Sequence, residues 1–95
     1  MPGKIEGSVV AIGETGNLIT DLTAERLKSV PTDDGTFVRC DEHETNGLFP
    51  AKHGQPEATL VAFLGPKGCL ELEIVGENAS LMLGIRVGEK VVVRW

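Results

Sequence analysis

Basic clusters, aromatic residues and long apolar runs are all scarce in this sequence. Its nine Lys and Arg residues are outnumbered by fourteen Asp and Glu residues, which gives a formal net charge of −5. The basic residues are scattered singly, and none is interleaved with aromatic residues. Nucleic-acid binding requires a basic surface that displaces phosphate counterions, so we expect no nucleic-acid partner.

The apolar runs are too short for a membrane span. The longest have about five residues, whereas a spanning helix needs about 20. The Met-Pro-Gly-Lys start is followed by no apolar signal region, and an anionic membrane surface would repel an acidic chain. We therefore expect no membrane partner and a cytoplasmic location.

Cysteine is also rare, since Cys40 and Cys69 are the only two and they form no CxxC motif. Two cysteines can form one disulfide, but no secretory signal accompanies them. We interpret both as reduced thiols of a cytoplasmic protein.

Short apolar segments separated by Gly and Pro make up most of the chain. The length fits one domain over residues 1–95, and because only four residues are aromatic, Val, Ile and Leu must fill its core. Strands are predicted at residues 4–12, 17–22, 36–40, 58–64, 69–75 and 90–95. The Asp-Gly step at Asp34 and Gly35 is a strong turn signal, because glycine tolerates positive φ.

The segment at residues 69–75 alternates strictly between apolar and acidic side chains. Leu70, Leu72 and Ile74 share one face, and Glu71 and Glu73 share the other. This period of two predicts a half-buried strand whose glutamates face water.

Two helical turns interrupt the strands. Thr23 is a candidate cap for residues 24–27, while Asn78 and Gly84 are candidate N-terminal and C-terminal caps of a second turn. Six strands and two single-turn helices predict an all-β fold, a small closed or nearly closed barrel, because a flat sheet of this size would leave exposed edges.

Two blocks carry a resemblance to a known family. Residues 7–22, G-S-V-V-A-I-G-E-T-G-N-L-I-T-D-L, resemble the signature G-x-V-x-x-I-D-x-F-G-N-L-I-T-N-I. Residues 65–93, with G-C-L-E-L-E-I at 68–74, N-A-S at 78–80 and L-G-I-R-V-G-E-K-V at 83–91, are similar to G-Y-L-E-I-A-V-x-G-x-S-A-x-x-L-G-L-x-V-G-D-x-V. The order and spacing of the blocks agree. The chain thus resembles the C-terminal domain of the S-adenosylmethionine hydroxide adenosyltransferases, fluorinases and chlorinases, as a stand-alone domain.

The resemblance implies a Greek-key β-barrel that covers the adenosine end of S-adenosylmethionine at a subunit boundary. The full-length enzymes attack the ribose C5′ with hydroxide or halide and release methionine. Their catalytic N-terminal half has no counterpart here, and catalysis by positioning needs groups on both sides of the substrate. We therefore expect no catalytic residue and no turnover of S-adenosylmethionine.

Three hypotheses for the function follow from the resemblance. The first is a non-catalytic binding or interaction module, with a protein partner or a second copy of the chain as its partner. The second is an accessory half that completes an adenosine or S-adenosylmethionine site with a separate N-terminal-domain partner. The third is an independent small enzyme of unnamed chemistry.

The chain departs from the family pattern at three places. Thr15 replaces the aromatic residue before Gly-Asn, so a stacking surface is missing, and Asp21 replaces an asparagine. Residues 69–75 contain no arginine of the kind that binds the methionine carboxylate in halogenating relatives. No cofactor is expected, and any remaining binding of adenosine or S-adenosylmethionine should be weak.

The candidate ligand contacts are Asn17, Asn78, Ala79 and Ser80. Asn17 matches the family's base-contacting amide, which offers both a donor and an acceptor to adenine; alternatively, it stabilises the turn that precedes it. Backbone N–H groups at residues 78–80 can meet a base edge or an anion; alternatively, Asn78 simply caps the helix.

The densest group of possible metal ligands comprises Cys40, Asp41, Glu42, His43, Glu44 and His53. Its spacing lacks the two tight pairs of a zinc site, so we predict a solvated polar loop and no metal. Residues 13–16 lack the lysine and the following helix of a phosphate loop. Trp95 either closes the barrel or lies in an oligomer contact.

Overall fold

The computed structural model describes residues 3–95, which form seven strands and two short helices. The strands are β1 (Lys4–Ile12), β2 (Leu18–Thr23), β3 (Phe37–Cys40), β4 (His43–Asn46), β5 (Leu60–Leu64), β6 (Cys69–Ile74) and β7 (Lys90–Arg94). The helices are α1 (Ala24–Leu27) and α2 (Ala79–Leu83). The predicted mostly β fold is confirmed. Across these residues, no helix has the length and apolar character needed to cross a membrane.

The strands form one antiparallel sheet in the order β4-β3-β7-β1-β2-β6-β5. Its two edges approach each other, because the Thr45 hydroxyl on β4 donates to the Leu60 carbonyl on β5 over 2.8 Å. Beyond β4, the Phe49 N–H donates to the Ala62 carbonyl, and the Leu64 N–H donates to the Phe49 carbonyl, both over 3.0 Å. These bonds leave a nearly closed barrel.

Aliphatic side chains fill the barrel, as the scarcity of aromatic residues predicts. Its main cluster consists of Val9, Leu18, Leu22, Leu27, Val30, Val38, Cys40, Leu48, Ala62, Leu70, Leu72, Ile85, Val91 and Val93. On β6 the predicted inward face is confirmed, since Leu70, Leu72 and Ile74 are all buried. Burial of such side chains is the main stabilising contribution in a domain of this size.

The outer face of β6 differs from the prediction. Glu71 is only 8% exposed and packs against the backbone of Gly65, and the side chain of Glu73 is 22% exposed. The expectation that both glutamates face water is wrong. Glu71 lies against the turn at Gly65, whereas Glu73 is covered by the segment between β4 and β5, residues 47–59, which we call the strap. It crosses the outer face of β5 and β6, where His53 contacts Glu73 and the ring of Phe63.

The two helices begin and end as predicted. The Thr23 hydroxyl accepts a hydrogen bond from the Arg26 N–H over 3.3 Å and caps α1. The Asn78 side chain accepts from the Leu81 N–H over 3.0 Å and caps α2. Gly84 ends α2 at φ 68°, in the left-handed region that glycine adopts without a steric penalty.

Candidate functional site

The turn between β1 and β2 packs directly against the start of α2. Within this turn, the Gly13 N–H donates to the Asn17 carbonyl over 2.8 Å, and the Gly16 N–H donates to the Gly13 carbonyl over 2.9 Å. The Ser80 N–H donates to the Gly16 carbonyl over 2.9 Å and joins the helix to the turn. Gly16 has φ +91°, and a Cβ there would overlap the side chain of Asn78. The close contact therefore requires glycine.

An open groove of about 480 Å³ lies beside this contact. Its lining residues are Thr15, Asn17, Glu73, Ile74, Gly76, Glu77 and Asn78. Two of the four candidate residues, Asn17 and Asn78, therefore meet in one groove. Ala79 is fully buried, and the Ser80 hydroxyl donates to the Ile85 carbonyl over 2.9 Å. Neither Ala79 nor Ser80 lines the groove.

The amide of Asn17 is available for a ligand. The turn is held by backbone groups, and the half-buried Asn17 side chain makes no hydrogen bond to any residue in the described range 3–95. Asn78 is only partly available, because its Oδ1 caps α2 while its amide N–H groups have no bond to described residues. Together the two side chains offer donors and one acceptor to a ligand.

Two acidic side chains, Glu73 and Glu77, line the groove in addition to the candidate contacts named from the sequence. Glu77 is exposed, and Glu73 accepts a hydrogen bond from His53 Nε2. Nδ1 of His53 accepts from the Gln55 N–H over 3.0 Å, which places the imidazole proton on Nε2. His53 and Glu73 lie 20 residues apart, so no local pattern could have linked them.

The group of possible metal ligands does not converge. Within residues 3–95 no three His, Cys, Asp or Glu side chains could hold a metal ion. Cys40 points into the core, Glu44 pairs with Arg94 over 2.9 Å, and His53 lies in the strap, where it contacts Glu73.

Cys40 should resist alkylation in the folded protein. Burial, together with the negative charges of Glu89 and Asp41, raises the pKa of its thiol from 9.0 to about 11. At pH 8 we expect iodoacetamide to modify Cys40 only after urea is added, because the thiolate is the reactive form. The half-exposed Cys69 serves as the internal comparison. Mass spectrometry of tryptic peptides measures the labelling of both cysteines. Equal labelling of Cys40 and Cys69 in the folded protein would contradict the predicted protection of Cys40.

Trp95 completes the barrel wall beside the N-terminal strand. Its N–H donates to the Gly3 carbonyl over 3.0 Å and its carbonyl accepts from the Gly3 N–H over 2.7 Å. The ring lies where a Cβ on Gly3 would be, and it packs against the core cluster. This packing favours the barrel-closing interpretation of Trp95.

Comparison with known proteins identifies the family. Residues 7–92 match the family described as the SAM hydroxide adenosyltransferase C-terminal domain. The chain belongs to this family. The match covers the first sequence block entirely and the second up to residue 92, and it includes all the residues that line the groove.

Two crystal structures are similar to this member of the SAM hydroxide adenosyltransferase C-terminal family. An uncharacterized conserved protein from Thermotoga maritima has a TM-score of 0.78 and 26% identity, covering 95% of this chain and 35% of that chain. A conserved hypothetical protein from Thermus thermophilus has a TM-score of 0.69 and 26% identity, and the match covers 93% of this chain and 32% of that chain. The chain thus spans about a third of each structure. No curated protein matches.

Proposed function

We propose that this domain is a binding module that supplies one wall of a site for an adenosine-type ligand, and that it performs no chemistry on that ligand by itself. The unpaired Asn17 amide at the groove is the observation that carries the proposal. An asparagine amide can donate to and accept from the edge of adenine at the same time. The family description, which names an adenosyltransferase that uses S-adenosylmethionine, supports the same ligand class.

Exposed apolar side chains on α2 and in the turn after it support a second wall from another domain. Leu81 and Met82 on α2 are 79% and 61% exposed, and Val87 in the following turn is 57% exposed. The Gly88 N–H donates to the Val9 carbonyl over 2.7 Å, which places this turn beside β1. Exposed apolar surface of this kind is typical of interaction sites.

We propose that this surface is covered by a domain of the kind found in the two similar crystal structures outside the part that matches this chain. The matched part makes up only 35% and 32% of the two crystal structures, so most of each chain lies outside it. Such a domain would close the groove and supply the groups that hold the ribose. Effective catalysis needs groups positioned on both sides of a substrate, so we assign binding alone to this half.

A titration of the ¹⁵N-labelled domain with adenosine tests the proposal. We expect a dissociation constant of about 1 mM, near −4 kcal/mol, because only one wall is present. Chemical shifts should change at Asn17, Asn78 and their side-chain amides. The Asn17→Ala variant should weaken binding, whereas Asn46→Ala, at an exposed asparagine outside the groove, should not. Shift changes confined to the β3–β4 hairpin would rule the proposal out.

A further inference from the structure

We infer that Glu73 selects a positively charged group on the ligand of this groove, and that His53 is the positioning residue that holds the Glu73 carboxylate in place. This inference rests on the proposed function. It adds the charge of the preferred ligand and the residues that determine it.

One carboxylate oxygen of Glu73 remains free. Glu73 projects from the outer face of β6, lines the groove, and has a side chain that is 22% exposed. Its Oε1 accepts from His53 Nε2, and its Oε2 makes no hydrogen bond or ion pair within residues 3–95. Since an ionised carboxylate only accepts hydrogen bonds, Oε2 can serve a cationic group or another donor on a ligand.

The imidazole of His53 is held on three sides. Its side chain is 8% exposed, and its ring centroid lies 6.3 Å from that of Phe49 and 5.7 Å from that of Phe63, both in edge-on geometry. The Gln55 N–H occupies Nδ1, so a neutral imidazole donates from Nε2 to Glu73. A neutral donor fixes the carboxylate without cancelling its negative charge, which therefore acts on the groove.

The remaining lining of the groove has no positive charge to oppose Glu73. Its other members are Thr15, Asn17, Ile74, Gly76, Glu77 and Asn78, and the exposed carboxylate of Glu77 adds a second negative charge. A cleft lined by one sign of charge concentrates ligands of the opposite sign. The groove should therefore bind a sulfonium or ammonium compound more tightly than its uncharged analogue.

A pair of ligands that differ in sulfur charge tests the inference. S-adenosylmethionine carries a sulfonium, whereas S-adenosylhomocysteine carries an uncharged thioether in its place. At low ionic strength we expect the wild-type domain to bind the sulfonium compound about fivefold more tightly, the effect of a single partly exposed charge pair. The readout is the dissociation constant of S-adenosylhomocysteine divided by that of S-adenosylmethionine, both from NMR titrations. Adenosine serves as the reference ligand.

Two variants assign the preference to Glu73. Glu73→Gln keeps the size and an acceptor oxygen but removes the charge, so the ratio should fall to about twofold or less. Glu42→Gln removes an exposed charge outside the groove and should leave the ratio unchanged. Raising the salt concentration should reduce the wild-type ratio, because exposed charge pairs are screened.

Variants at His53 test its positioning role. His53→Ala leaves Glu73 without its donor and should lower the ratio, whereas His53→Gln retains an N–H donor and should restore part of it. A purely structural effect of the strap would change all ligands alike and leave the ratio intact. If His53→Ala does not fold, the comparison of His53→Gln with the wild type decides the positioning role.

The outcomes separate this inference from the proposed function. If the wild-type domain shows no adenosine-dependent shifts, the proposed function fails and the inference fails with it. If adenosine binds at Asn17 but the ratio is near one, or is unaffected by Glu73→Gln, the inference alone is overturned. A ratio that falls with Glu73→Gln and with salt supports it.

Discussion

Replacing Leu72 with alanine is expected to lower the free energy of unfolding by about 2–5 kcal/mol, because a buried leucine loses its transfer energy and leaves a cavity. Leu72 is 2% exposed and lies on β6 between Leu18 of β2 and Ala62 of β5. Hydrogen-bonded strands on both sides limit how far the site can collapse. Against a total stability of roughly 5–10 kcal/mol for a small domain, this loss approaches complete unfolding.

A urea titration followed by circular dichroism measures this effect. The matched control is Leu81→Ala, the same chemical change on the exposed face of α2, which should cost less than about 0.5 kcal/mol. Similar losses for the two variants would mean that the register of β6 is shifted by one residue, since such a shift exchanges the two faces of a strand.

Replacing Gly16 with alanine is expected to cost about 2–4 kcal/mol and to abolish adenosine binding. Part of the cost comes from a non-glycine residue at φ +91°, which is worth about 1–2 kcal/mol. The rest comes from the overlap of the new Cβ with the side chain of Asn78, which forces the turn away from α2. Asn17 and Asn78 would then no longer share one groove.

Gly88→Ala provides the matched control for Gly16→Ala. Gly88 has φ +100°, and a Cβ there would have open space around it. It should therefore show only the backbone penalty of about 1–2 kcal/mol and retain adenosine binding. Urea titrations and the NMR titration of both variants give the comparison. Equal losses of stability and of binding would show that the contact with Asn78 is unimportant.

Local patterns in the sequence were sufficient to predict most elements of the fold. Six of the seven strands and both helices occur where periodicity and capping residues indicated them. Thr23, Asn78 and Gly84 were recognised as caps because their hydrogen bonds and backbone angles involve neighbours within a few residues. Asn17 and Asn78 could be named as candidates only through the family resemblance, and their shared groove became visible only in the structure.

The features that were missed depend on contacts between distant residues. β4 is four residues of mixed polarity, H-E-T-N, and is a strand because β3 pairs with it. The alternation of β6 correctly predicted its inward face, but it carries no information about the strap that covers the outer face. Glu73 therefore looked solvated, although His53 binds it from 20 residues away.

The position of β1 in the sheet has a consequence for how the barrel folds. β1 pairs on one side with β2, the next strand along the chain, and on the other with β7, where Lys4 faces Arg94. One edge of the first strand therefore stays unpaired until the last strand has been synthesised. Closing a chain segment of that length costs conformational entropy before the contacts between its ends can compensate for it. Because pairs this distant along the chain slow folding, we expect the barrel to fold in milliseconds to seconds, the range typical of small β-barrels.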